Sequence, residues 1–279
     1  MCVSGYGNLD EPTPQVKLAL GITLLFFTML GILGNIVISV IVFKVLRSRR
    51  TLHNVLILVL AVTDLLTICL AFPPALLAYL SGLDVGHAPL CNYHGTVLNF
   101  FYIISVMLVT CMSLDRYLAL SRPFFYKTSV VFDSKMFVVI FTSLCVFALL
   151  VSLLPVFGLS ANVLQYPRTF CLFRLNARDY KGKIVVFLNL FLLMLCLVTV
   201  LGCNSAVSWT SLRMLERSRQ RQRSVDTIET SSNFSACSTE ECQFLKLSVI
   251  VMVAFLGCWS LFFVSSFFFA QDYETTYLF

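Results

Sequence analysis

The sequence predicts an all-α integral membrane protein, and two observations support this class. Of the 279 residues, 58% are hydrophobic and only 12% are charged, whereas charged residues make up about 25% of an average soluble domain. Six apolar stretches are also long enough to cross a hydrocarbon core of about 30 Å, which takes about 20 helical residues. The composition therefore excludes a soluble domain.

The six predicted spans follow one another with short connections. A β-barrel would show segments of about ten residues that alternate between apolar and polar positions. Continuous apolar runs instead favour helices, which satisfy their backbone hydrogen bonds internally. In chain order the predicted spans are Lys17–Leu46, Leu52–Leu80, Pro89–Leu120, Lys135–Leu159, Lys183–Leu215 and Gln243–Ala270.

The segments outside these spans are polar. Residues 1–16 lack the basic start and short apolar core of a signal peptide, so we expect the first span to serve as the insertion signal. We expect 1–16 to be extracellular, 216–242 to form the third cytosolic loop and 271–279 to be a short extracellular tail.

The distribution of positive charge predicts the orientation in the membrane. Fourteen of the 20 Lys and Arg residues lie in or beside the first, third and fifth connections. Because cytosolic loops carry the excess of Lys and Arg, the amino terminus is expected outside the cell. The basic face then lies against anionic membrane lipid or acidic partners. No nucleic-acid motif accompanies this charge, so nucleic acid is not an expected partner.

Most of the 11 cysteines lie within the apolar spans, where a small polarizable side chain simply packs. Cys91, at the outer start of the third span, and Cys171, in the fourth connection, both face an oxidising compartment and could form a disulfide. Cys2 is also expected outside, as an unpaired or intermolecular thiol.

Asp64 is the one ionisable side chain near the middle of a predicted span. A charged group at that depth is costly and indicates a functional site. Together with Asn35 and Ser105 it could hold a cation or a chain of waters. The alternative is a protonated Asp64 that hydrogen-bonds to Asn35 and serves packing.

Asp115 and Arg116, in "SLDRYLAL", form an acid and base pair at the cytosolic end of the third span. An ion pair at the membrane edge, with its side chains reaching toward water, would occur in any transmembrane protein. The motifs that accompany the pair favour a functional role.

These motifs resemble those of the rhodopsin-like G-protein-coupled receptors. They are Gly34 and Asn35, then Leu60, Ala61 and Asp64, then Cys91 with Cys171, then Asp115, Arg116 and Tyr117, and finally Cys258 with Trp259. The resemblance implies a rhodopsin-like seven-helix architecture, a disulfide between Cys91 and Cys171, and a switch at Arg116 that leaves Asp115 and contacts a G protein. It also implies a sixth-span switch at Trp259 and a sodium and water site at Asn35, Asp64 and Ser105, with no other cofactor.

The string "LQYPRTFC" narrows the resemblance to the prostanoid receptors, whose second outer loop typically reads QYPGTWC. Gln165, Tyr166, Pro167, Thr169 and Cys171 match. Among prostanoid receptors, the prostaglandin E receptors that stimulate adenylate cyclase are most similar. This implies that Thr169 and Tyr79 bind the carboxylate of a lipid ligand and that Phe170 forms an aromatic wall.

Two departures from that family stand out. The chain ends after the sixth span, so we expect it to lack the seventh helix with the arginine that pairs with the ligand carboxylate. Arg168, in place of the family's small or acidic residue, is a candidate substitute cation. The sixth span also lacks the family's proline, since Leu261 or Phe262 stands at that position.

The resemblance therefore implies a multi-pass plasma-membrane receptor for a prostanoid, prostaglandin E2 above all, coupled through the stimulatory G protein to cAMP. The alternative is a non-signalling chain that dimerises with full-length receptors and traps them. A transporter would show inverted repeats or charged pairs within the membrane, and the sequence shows neither. An enzyme is not expected, because His53, His87 and His94 lie at helix ends with neither a nucleophile nor metal-ligand spacing.

Overall fold

The computed structural model describes residues 13–48, 51–82, 85–121, 126, 134–165, 169–175, 177 and 179–225. Five helical segments of these residues are long and apolar enough to cross a membrane: Pro14–Ser48, Leu52–Ser81, Ala88–Ser121, Lys135–Leu153 and Tyr180–Met214. They overlap the first five predicted spans and confirm the all-α membrane class. The sixth predicted span, Gln243–Ala270, lies outside the described residues, as do residues 1–12, 226–242 and 271–279.

The first helix, α1 (Pro14–Ser48), has 35 residues and is about 52 Å long at 1.5 Å per residue. Most of its large apolar side chains are exposed, for example Phe26 and Leu33, as expected where lipid replaces water. Gly21 is buried because the third helix approaches it closely. A Cβ atom at Gly21 would lie 2.9 Å from the Cβ of Tyr79.

The second predicted span is two helices rather than one. α2 (Leu52–Leu70) begins after Thr51, whose hydroxyl accepts from the Asn54 N–H at 3.3 Å, and α3 (Phe72–Ser81) begins after a turn residue, Ala71. Pro73 and Pro74 have no N–H to donate to the carbonyls of the preceding turn. The Leu70 carbonyl instead accepts from the Tyr93 hydroxyl at 3.0 Å.

α4 (Ala88–Ser121) and α5 (Ser134–Leu153) form the next two spans. α5 ends six residues before the predicted Leu159, and turns follow from Leu154 onward. Pro155 disfavours the helical conformation for the residue before it and has no N–H to continue the ladder.

The last described helix, α6 (Tyr180–Val225), begins three residues before the predicted Lys183 and extends past Leu215. Asp179 precedes it, and the Asp179 carboxylate accepts from the Gly182 N–H at 2.8 Å, as an N-cap residue does. That hydrogen bond holds the pKa of Asp179 below its ordinary value.

Between α5 and α6 lies an antiparallel hairpin of β1 (Asn162–Gln165) and β2 (Phe170–Phe173). Its register pairs Leu164 with Cys171 and Gln165 with Phe170. The chain divides into two compact units. The first comprises Met1–Cys111 and Phe132–Cys196, and the second Met112–Val131 and Leu197–Phe279. The hairpin belongs to the first unit.

Candidate functional site

A disulfide between Cys91 of α4 and Cys171 of β2 fixes the hairpin within the first unit, which confirms the predicted pair. The Cys171 N–H also donates to Nδ1 of His94 at 3.4 Å, and both residues are fully buried. Ala78 of α3 and Val85 pack around the same two cysteines. The hairpin is therefore held by a covalent bond, a hydrogen bond and apolar contacts.

Thr169 lies in the turn just before β2, two residues from the disulfide. It is 2% exposed, and its hydroxyl has no hydrogen-bond partner among the described residues. Phe170 follows it, half-buried, at the first position of β2. Thr169 is thus a desolvated donor and acceptor on a fixed loop.

Tyr79 lies on α3, next to Ala78 of the core around the disulfide. The structure thus brings the segments carrying Tyr79 and Thr169 to the same core. The Tyr79 Cβ packs against Gly21 of α1. Arg168 lies outside the described residues, and its predicted contact with a ligand stays a prediction.

The Asp64 carboxyl of α2 accepts a hydrogen bond from Ser105 of α4, so the structure brings together two of the three groups predicted to form a sodium and water site. The third, Asn35, donates from Nδ2 to the Gly31 carbonyl of its own helix at 3.0 Å. A cation at this position stays a prediction.

In the second unit, Asp115 is 6% exposed and accepts a hydrogen bond of 2.8 Å from the Tyr126 hydroxyl. Arg116 and Tyr117 follow on α4, both half-buried, and Asp115 attracts the Arg116 guanidinium electrostatically. Burial, and then the bond to Asp115, raise the pKa of Tyr126 to about 12. Tyr126 therefore stays a protonated donor at physiological pH. Sequence reasoning missed it, although it stands in the string "RPFFY" soon after Arg116.

A second polar contact in this unit also escaped the sequence analysis. The Asn204 Nδ2 of α6 donates to the Ser113 Oγ of α4 at 3.1 Å, and both side chains are buried. Asn204 also donates to the Val200 carbonyl of its own helix at 2.9 Å. Asparagine within an apolar run was the available signal. Trp259, the predicted sixth-span switch, lies outside the described residues.

Comparison with known proteins matches residues 34–277 to the family described as 7 transmembrane receptor (rhodopsin family). The human prostaglandin E2 receptor EP4 subtype is 32% identical over 200 residues, which cover 71% of this chain and 40% of that protein. The human EP2 subtype is 32% identical over 178 residues, which cover 62% of this chain and 48% of that protein. The chain thus matches less than half the length of these relatives.

Among solved structures, a crystal structure of squid rhodopsin aligns with a TM-score of 0.67 over 93% of this chain and 70% of that one, at 20% identity. This likeness shows the fold. The family match covers most of the chain, and its members are multi-pass plasma-membrane receptors rather than enzymes. The chain therefore belongs to the rhodopsin family of G-protein-coupled receptors and, within it, to the prostanoid subfamily.

Proposed function

We propose that this chain is a receptor for a prostanoid, prostaglandin E2 above all, which couples through the stimulatory G protein to raise cAMP. Two of its relatives are named prostaglandin E2 receptors, EP4 and EP2. The resemblance of the outer loop to the prostaglandin E receptors that stimulate adenylate cyclase supports the choice of G protein.

The observation that carries the proposal is the buried hydroxyl of Thr169. Prostaglandin E2 is a largely apolar lipid acid, so its receptor needs an apolar site with a few fixed polar groups. A buried hydroxyl left without a partner costs about 1–3 kcal/mol, and a carboxylate oxygen would accept a charge-assisted bond from it. Because the disulfide and His94 fix the hairpin, the donor is positioned before the ligand arrives.

The remaining ligand contacts follow from the same placement. In this proposal the Tyr79 hydroxyl donates a second hydrogen bond to the carboxylate, and Phe170 covers the apolar chain of the ligand. Arg168, one residue before Thr169 in the sequence, supplies the positive charge.

The proposed signalling groups lie in the second unit. Arg116 leaves Asp115 to contact the G protein, with Tyr117 beside it, while Trp259 responds to the ligand. In the first unit, Asp64 and Ser105 form the polar site that a sodium ion occupies, with Asn35 contributing from α1. A second receptor chain is a further proposed partner.

Saturable binding of labelled prostaglandin E2 to cells that express this chain, with surface amount measured by an epitope tag, tests the proposal. Thr169→Ala is expected to weaken binding by roughly 10- to 150-fold, since a charge-assisted hydrogen bond contributes about 1.5–3 kcal/mol. The matched control is Thr23→Ala, because Thr23 is exposed on α1 and its hydroxyl donates to the Ala19 carbonyl at 2.8 Å. Equal affinity of Thr169→Ala and Thr23→Ala would contradict the role of Thr169. Good surface expression without binding would contradict the ligand assignment.

A further inference from the structure

One face of α4 carries a polar stripe that the ligand contacts above do not use. Asn92, Gly95, Thr96 and Asn99 are spaced at i, i+3, i+4 and i+7, which places them on one side of a helix. Asn99 is eight residues beyond Cys91, or about 12 Å further along the helix axis. The stripe thus runs from the end of α4 that holds the hairpin toward the middle of the span.

The β-hairpin covers the first part of this stripe. Asn162 of β1 lies so close to Gly95 that a Cβ atom there would be 2.6 Å from the Asn162 Oδ1. The Asn162 Nδ2 lies 3.4 Å from the Asn92 Oδ1 and 3.5 Å from the Asn92 carbonyl oxygen. Asn162 therefore donates to Asn92, and its side chain fills the space above Gly95.

In the second part of the stripe, Asn99 is buried and Thr96 is half-buried, and the described residues leave polar atoms of both without a hydrogen bond. Asn99 is 2% exposed, and neither its amide nitrogen nor its amide oxygen has a hydrogen-bond partner among the described residues. The same holds for the Thr96 hydroxyl. Other helical threonines of this chain differ from Thr96. The hydroxyls of Thr23, Thr63 and Thr110, for example, each donate to the carbonyl four residues earlier.

Three desolvated polar atoms on adjacent turns need a partner that both donates and accepts. An amide offers two donors and an acceptor, and a hydroxyl offers one donor and two lone pairs. An alcohol hydroxyl can accept from the Asn99 amide nitrogen while it donates to the amide oxygen or to Thr96. A carboxylate cannot donate, so it fits this site less well than it fits Thr169.

We propose that Asn99 and Thr96 form a subsite that binds a hydroxyl group of the lipid ligand. This inference rests on the proposed function and deepens it. Thr169 binds the acid end of the ligand, and the polar stripe binds an alcohol group deeper along α4. Prostaglandin E2 carries two such groups, one on the ring and one on the side chain.

The test compares prostaglandin E2 with two analogues, one without the ring hydroxyl and one without the side-chain hydroxyl, on the full chain. In the unaltered chain, removal of the recognised hydroxyl is expected to weaken binding about 10-fold, near the upper end of a net hydrogen-bond contribution. Asn99→Leu should weaken binding of prostaglandin E2 by a similar factor and leave binding of that one analogue unchanged. Thr96→Val should act in the same direction with a smaller factor.

Thr63→Val is the matched control, because the Thr63 hydroxyl is buried and bonded to the Val59 carbonyl. It should not change the ranking of the three ligands. The ligand-free thermal stability of Asn99→Leu is expected to equal or exceed that of the unaltered chain, because the substitution removes a buried amide that has no partner among the described residues. If Asn99 served only to hold the structure together, Asn99→Leu would instead have a lower ligand-free thermal stability than the unaltered chain.

Two results of the binding measurements would likewise overturn the subsite while leaving the proposed function standing. One is unchanged prostaglandin E2 affinity in both Asn99→Leu and Thr96→Val. The other is an equal loss for all three ligands, which would show that these side chains hold water or the backbone rather than a ligand hydroxyl. Absence of prostaglandin E2 binding by the unaltered chain would overturn the proposed function and the subsite with it.

Discussion

At the scale of single residues, the second unit contains a buried carboxylate, that of Asp115. Asp115 is an acceptor when ionised and needs donors in place of the water it has lost. Tyr126 supplies one such donor at 2.8 Å, and the Arg116 guanidinium adds electrostatic attraction. The hydroxyl of Tyr126 thus donates to a buried carboxylate 11 residues earlier in the chain, a contact that the sequence alone does not predict.

Tyr126→Phe removes that donor and keeps the ring. We expect it to lower the free energy of unfolding by about 1 kcal/mol, because Tyr126 is only half-buried and water can partly replace it. Thermal unfolding of the purified chain measures the loss, with Tyr180→Phe as the control, since Tyr180 is exposed at the start of α6.

The pH dependence of this loss follows from the raised pKa of Tyr126. The pKa of Tyr126 is higher in the folded chain than in the unfolded chain, where it is about 10. The stabilisation by its hydroxyl is therefore complete below about pH 10 and disappears as the pH rises toward the folded pKa of about 12. The difference between Tyr126→Phe and the unaltered chain should therefore be the same at pH 6 and pH 9. A difference that changed across this interval would contradict the assigned hydrogen bond.

At the scale of elements, hydrogen bonds of polar side chains join helices that are largely apolar. In the first unit the Tyr93 hydroxyl of α4 bonds to the Leu70 carbonyl of α2. In the second unit Asn204 of α6 bonds to Ser113 of α4. Hydrogen bonds between membrane helices are worth about 0.6 kcal/mol on average and up to about 1.7 kcal/mol.

A double-mutant cycle on Ser113→Ala and Asn204→Ala measures the α4–α6 contact. We expect a coupling energy of about 1 kcal/mol, because both side chains are buried and water does not readily replace the hydrogen bond that each single substitution removes. The cycle is read from thermal unfolding of the four chains. Strictly additive losses would show that the two side chains act independently.

The elements also show where hydropathy is a good predictor and where it is not. Long apolar runs located the first five spans because only a helix hides its backbone polar groups in lipid. The break at Ala71 and the end of α5 at Leu153 escaped that reasoning. The sequence contains Pro73, Pro74 and Pro155 at these positions. The mean hydropathy of a run does not register that a proline lacks the backbone N–H that a helix needs.

The candidate site was predicted in part. Cys91 and Cys171 were predicted to pair from their expected place outside the membrane and from the family resemblance, and the disulfide confirms the pairing. Matching the outer-loop string selected Thr169, whose contact with a ligand stays a prediction. Contacts between residues far apart in the chain, such as Asn204 with Ser113 or Asn162 with Asn92, depend on how the helices and the hairpin pack. A single sequence has no periodicity or motif that encodes such pairs.

At the scale of the whole molecule, we propose that prostaglandin E2 binding and G-protein activation reside in this one chain. The groups proposed to bind the ligand, Thr169, Tyr79, Thr96 and Asn99, belong to the first unit, and Asp115, Arg116 and Tyr126 belong to the second. A receptor must connect the two. A chain that binds ligand without a cAMP response would instead fit a non-signalling partner of other receptors.

The most direct test measures prostaglandin E2-stimulated cAMP in cells without other prostaglandin E receptors. The unaltered chain should raise cAMP. Arg116→Ala should abolish the rise while it retains ligand binding and surface expression. The matched control is Arg47→Ala. In the unaltered chain the Arg47 guanidinium lies 5.0 Å from the centre of the Phe43 ring on the same helix, α1. The Arg47→Ala chain should respond like the unaltered chain. A chain that reaches the surface and binds prostaglandin E2 but never raises cAMP, or an Arg116→Ala response equal to that of the unaltered chain, would contradict this account.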